Sequence, residues 1–132
     1  MKSIYVCTDY EGHGKSKKNK TKLCCELIAL AGYLPMNPHL IMTSYLHYGD
    51  EQEMDIADDL TFEWLYRCDE LWVVGLKLTQ DMEIMIEGAV EHDIPVRFFD
   101  PGLHEVNSGS QTPGILFSEE LLKYMKLAEE YR

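Results

Sequence analysis

The stretch Cys68-Asp69-Glu70-Leu71-Trp72-Val73-Val74-Gly75, followed by Thr79-Gln80-Asp81-Met82 and then Ile94-Pro95-Val96-Arg97-Phe98-Phe99-Asp100, reads as strand, loop, helix, strand. The apolar run over 70–75 has the length of a buried strand and stops at Gly75. A helical pattern follows over 80–92, and Pro95 opens a second apolar strand over 95–99. Two buried strands joined by one helix form a right-handed βαβ unit, which makes the sheet parallel. Ligands of such sheets bind beyond the carboxyl ends of the strands. The loop after Gly75 is therefore a candidate site.

The same alternation extends outward. Ser3 to Cys7 predicts an interior strand and Thr8 to Gly14 a loop. A helix runs over 16–31 and stops at Gly32, as glycine favours. Residues 33–37 predict a short second strand interrupted by Pro35, and 38–49 an irregular, aromatic segment. Met54, Ala57, Leu60, Phe62, Trp64 and Leu65 give a helix over 50–67 its apolar stripe. Residues 101–113 form a polar loop, and Ser118 caps a last helix with Glu119 and Glu120 in its first turn. Leu121, Leu122, Met125 and Ala128 are its buried face. The expected fold is α/β: one domain over 1–132, a three-layer sandwich with a parallel sheet of four or five strands, flavodoxin- or Rossmann-like.

Composition sets bounds on function. A net charge of −11 argues against a duplex nucleic-acid partner. The charge is uneven, because six of the twelve Lys and Arg fall within the first 22 residues. That basic cluster suits a small phosphorylated ligand; a solvated helix face is the plainer reading. No apolar run reaches the roughly 20 residues of a membrane helix, and no signal peptide is read at the N-terminus. Cys7, Cys24, Cys25 and Cys68 form no CxxC pair, so reduced thiols, a cytoplasmic protein and no metal or cofactor are expected.

Gly12-His13-Gly14-Lys15-Ser16 resembles the end of a phosphate-binding loop, yet the glycine that motif needs first is Asp9 here. An acid at that turn opposes a triphosphate, which leaves Gly12 and Lys15 a looser role at the start of the first helix. Thr8, Asp9 and Tyr10 follow the first strand, and Pro38-His39 the second. A parallel sheet brings Thr8, Asp9, Tyr10, His39, Gly75 and Asp81 to one edge, where a single cavity is expected.

Tyr5-Val6-Cys7-Thr8-Asp9-Tyr10, Gly32-Tyr33-Leu34-Pro35-Met36-Asn37-Pro38-His39-Leu40, Arg67 through Gly75, Met82 and Ile94-Pro95-Val96 together resemble the nucleoside 2-deoxyribosyltransferase-like family, in particular a phage and bacterial branch of small uncharacterised proteins. The resemblance spans about residues 3–100. It implies that the turn at Thr8-Asp9-Tyr10 contacts base and sugar, and that members associate as homo-oligomers, with the 41–48 segment a source of contacts.

The resemblance also exposes a departure. The family carries a nucleophilic glutamate on the helix after the third strand, which attacks the anomeric carbon. Counted back ten residues from Pro95, that position is Met85, and a thioether cannot replace it. The glycine before Met82 is Asp81 here. Glu83 and Glu87 flank Met85 but point well away from its direction at about 100° per residue.

The expectation is a binder of a nucleotide- or ADP-ribose-derived molecule without catalysis. Its ligand residues would be Thr8, Asp9, Tyr10, Gly12, Lys15, His39, Gly75, Asp81, Met82 and Met85. A phage protein that sequesters a host immune nucleotide would suit this reading. The alternative is an active deoxyribosyltransferase or N-glycosidase using Glu87 or Glu83.

Overall fold

The computed structural model describes residues 1–9, 15–110 and 117–130, without the side chains of Lys15 and Lys17. The elements run β1 (Ser3–Thr8), α1 (Lys15–Leu30), β2 (Leu34–Met36), α2 (Pro38–Met42), α3 (Glu51–Tyr66), β3 (Glu70–Val74), α4 (Gln80–Glu91), β4 (Val96–Phe99), β5 (Glu105–Val106) and α5 (Glu119–Glu130). The sheet order is β2-β1-β3-β4-β5. The first four strands pair in parallel, as the βαβ reading requires. The fifth pairs antiparallel to β4 and comes from the stretch that sequence alone marks as polar loop. A second difference is α2, inside the segment expected to be irregular.

Alternation along the strands builds two cores. Tyr5, Cys7, Leu71, Val73, Val96 and Phe98 face α4 and α5, where Ile86, Leu121 and Met125 are fully buried. Ile4, Val6, Trp72, Val74 and Phe99 face the other way and meet Cys24 and Ile28 of α1. These are the two faces of a pleated strand with period two. The sheet is thus covered on both sides, a three-layer sandwich.

Polar contacts fix the register. Asp69 Oδ2 accepts from the backbone N–H of Ser3 at 2.8 Å and from its hydroxyl at 3.2 Å, which ties the starts of β1 and β3 together. Buried Glu70 accepts from Lys2 Nζ at 2.8 Å, Trp72 Nε1 at 2.9 Å and Arg97 at 3.4 Å. Burial opposes its ionisation, but these three donors outweigh it and hold the carboxyl below its usual value. Among the described residues, no helix is long and apolar enough to cross a membrane, and no cluster of His, Cys, Asp and Glu could hold a metal ion.

Candidate functional site

Caps aim three helices at one space. Asn37 sits between β2 and α2: its Oδ1 caps Leu40 N–H at 3.0 Å, and its Nδ2 donates to the Val6 carbonyl at 2.9 Å. One buried side chain thus starts α2 and ties it to β1. Asp50 caps α3 through Glu53 N–H at 3.1 Å, and Thr79 caps α4 through Met82 N–H at 3.3 Å. Gly88 lets α3 and α4 close together, because a Cβ there would stand 3.0 Å from the Phe62 ring.

Between these helices and β1 lies a cavity of about 820 Å³. Tyr5 forms its base. Lys18 comes from α1, and His39, Thr43, Leu46 and Tyr48 come from α2 and the following turn. Met54, Ala57, Asp58, Thr61 and Phe62 come from α3, and Asp81, Ile84 and Met85 from α4. His39 and Tyr48 meet edge to face with centroids 5.1 Å apart. The cavity therefore has a cation at one point, an aromatic pair, two carboxylates and an apolar floor. Burial, then the neighbouring charges of Asp55, Asp81 and Asp59, raise the Asp58 carboxyl above its usual value.

His39, Asp81 and Met85 of the expected set line this cavity, with Lys18 from the basic cluster. Thr8 does not. It is buried on the α1 side, its hydroxyl 3.1 Å from that of Thr21. Met82 is core, with its sulfur 3.5 Å from the Thr79 N–H. Asp9 and Gly75 pack against each other in the loops after β1 and β3 and are not among the described lining residues. Tyr10, Gly12 and the Lys15 side chain lie outside the described residues.

Glu83 and Glu87 are not among the described lining residues either. Glu87 accepts from the Tyr124 hydroxyl of α5 at 2.7 Å, a bond that with burial pushes that phenol up to about 12. The carboxylates of the cavity are instead Asp58 and Asp81. Sequence reading took the 50–67 helix for its apolar stripe and passed over Asp58. The missed signal was spacing: Met54, Ala57, Asp58 and Thr61 recur at i, i+3, i+4 and i+7, which puts two polar groups on the inward face.

Comparison with known proteins agrees with this architecture. A solved 2-deoxyribosyltransferase from the psychrotolerant bacterium Bacillus psychrosaccharolyticus superposes with a TM-score of 0.62 at 14% identity, over 82% of this chain and 79% of that one. At such identity the likeness is one of fold, which is 2-deoxyribosyltransferase-like. No curated protein matches the chain. A family model, described as a domain of unknown function (DUF7768), matches residues 2–99, and the chain belongs to that family.

Proposed function

We propose that the cavity binds a nucleoside- or nucleotide-derived small molecule and holds it without cleaving it. The observation that carries this reading is Met85. It stands on the cavity wall, on the helix after β3, and the count back from Pro95 gives it the position where the resemblance implies a nucleophilic glutamate. A thioether offers no carboxylate to a developing cation, and Glu87 is turned to Tyr124. Size and chemistry support the ligand class. A volume near 820 Å³ falls within the range of small-molecule sites. The His39–Tyr48 pair offers aromatic faces to a base, Asp58 and Asp81 offer acceptors to ribose hydroxyls, and Lys18 offers a cation to phosphate.

Such a protein would sequester its ligand, and a phage protein that withholds an immune nucleotide from its host is the role this would fit. A second reading has one observation in its favour. The raised carboxyl of Asp58, near Asp81, is what a general acid needs. An active N-glycosidase on this chain would therefore use that pair rather than Glu83 or Glu87.

The test is calorimetric titration with a nucleoside, its monophosphate, ADP-ribose and a cyclic dinucleotide, each then incubated at length and chromatographed. Saturable binding with no free base supports the first reading, and free base abolished by Asp58→Asn supports the second. Met85→Glu is the complement: it should introduce slow base release from a ligand the wild type leaves intact.

A further inference from the structure

We propose that the cavity selects a nucleoside whose base carries a fixed positive charge on an aromatic ring, and that Asp58 and Asp81 set this specificity. The inference rests on the reading of the cavity as a nucleoside site and names the kind of base it prefers.

Charge is unevenly placed on the cavity wall. Among the described lining residues, Lys18 of α1 supplies the one ammonium group, against the carboxylates of Asp58 on α3 and Asp81 on α4. Neither carboxylate forms an ion pair among the described residues. The charges that act on Asp58 are those of Asp55, Asp81 and Asp59, all of one sign. A neutral base leaves that repulsion as it is, whereas a positive one relieves it. The net charge of −11 acts in the same direction, because the field of the whole chain draws cations toward it.

The rest of the wall decides which kind of cation fits. Tyr5, Phe62 and the His39–Tyr48 pair put aromatic rings on the same cavity, and Ile84 and Met85 add apolar surface. An ammonium group is a compact, strongly hydrated charge and loses its water at a high cost in such surroundings. A ring cation spreads its charge, sheds water more readily and is attracted to the faces of neighbouring aromatic rings. Aromatic rings and carboxylates around one space therefore suit a flat cation better than a polyamine or a lysine side chain.

This assignment is compatible with ribose contacts. A carboxylate has two oxygens, so one can accept from a sugar hydroxyl while the group's charge acts on the ring through space. Lys18 stands on a different helix and remains available to a phosphate. A mononucleotide with a cationic base is bipolar, as the cavity is.

The test is calorimetric titration of the full chain at neutral pH with two matched pairs. Nicotinamide riboside is set against its 1,4-dihydro form, and 1-methyladenosine against N6-methyladenosine. The first member of each pair carries the ring charge; the second keeps the sugar and nearly the same shape without it. In each pair that binds, the wild type should hold the charged member about tenfold tighter or more. Asp58→Asn and Asp81→Asn should each shrink that preference by weakening the charged member, with an unchanged circular dichroism spectrum. The two residues sit on different helices, so misfolding of one variant leaves the other to decide. Equal affinity within a pair that binds, tighter binding of the neutral member, or a preference that survives both substitutions overturns the proposal and leaves the nucleoside reading standing. Binding of none of the four ends both.

Discussion

The carboxylate of Asp9 lies directly over the α-carbon of Gly75. A Cβ built on Gly75 would stand 2.7 Å from Oδ1 and 2.9 Å from Oδ2, closer than real contacts allow. Gly75 also has φ 111, which side chains rarely adopt. The pairing of Thr8 with Val74 puts these two residues side by side where β1 and β3 end. Gly75→Ala should therefore cost about 1–3 kcal/mol of stability, from backbone strain and crowding together. Adding Asp9→Ala should recover the crowding part only. Chemical denaturation of the two single variants and the double variant separates the terms, and full additivity would show that the contact contributes nothing.

Glu70 anchors the opposite end of the sheet. Removing it in Glu70→Ala leaves Trp72 Nε1–H without its acceptor and Arg97 with Glu105 alone, at a cost of about 2–3 kcal/mol. Its folded value is depressed, so its contribution is present above the ordinary glutamate value of about 4.3. It should be lost as pH falls through the lower folded value. Denaturation followed across the acid range should show wild type and variant converging there.

Asp58 has the opposite sign. Its carboxyl is raised, so the folded state holds that proton more tightly than the unfolded chain does, and stability falls as pH rises through the window above the ordinary aspartate value of about 3.9. Asp58→Asn should raise the melting temperature near neutral pH. Below about pH 4 the gain should vanish, because the wild-type group is protonated in both states. A loss of stability at neutral pH would mean that Asp58 makes a favourable contact as an anion.

Among the described residues, Lys18 is the basic side chain of the first helix that lines the cavity. Lys18→Glu should weaken a phosphorylated ligand by about tenfold or more, equivalent to about 1.4 kcal/mol. The effect should shrink as salt is added, and the matching unphosphorylated nucleoside should be nearly unaffected. Equal loss for both ligands would mean that the substitution disturbs the cavity rather than a charge contact.

Much of this molecule was legible in its sequence because burial leaves a periodic trace. Leu71 to Val74 is apolar on both faces because both faces of β3 are covered. Gly32, Gly75 and Pro95 punctuate the elements where backbone geometry demands it. What escaped was set by long-range contacts. The two-residue β5 has no pattern of its own and exists through pairing with β4 and the Arg97–Glu105 ion pair. Helix α2 rests on Asn37, whose second hydrogen bond goes to a strand 31 residues away. Reading residues as strand-end neighbours gathered His39 and Asp81 but also collected Thr8, whose side chain turns to the α1 face. Asp58 and Tyr48 reach the cavity only through the packing of α3 against α4 and of Tyr48 on His39.

The central claim is that the cavity holds an intact nucleotide-derived molecule. The most direct measurement is mass spectrometry of what the denatured protein releases after incubation with a bacterial small-molecule extract and gel filtration. Thr61→Trp, which fills the cavity from α3, is treated in parallel. The account predicts one intact ribose-containing species, near stoichiometric from the wild type and depleted from the filled variant. Equal release from both proteins, or free base in place of the intact molecule, would contradict it.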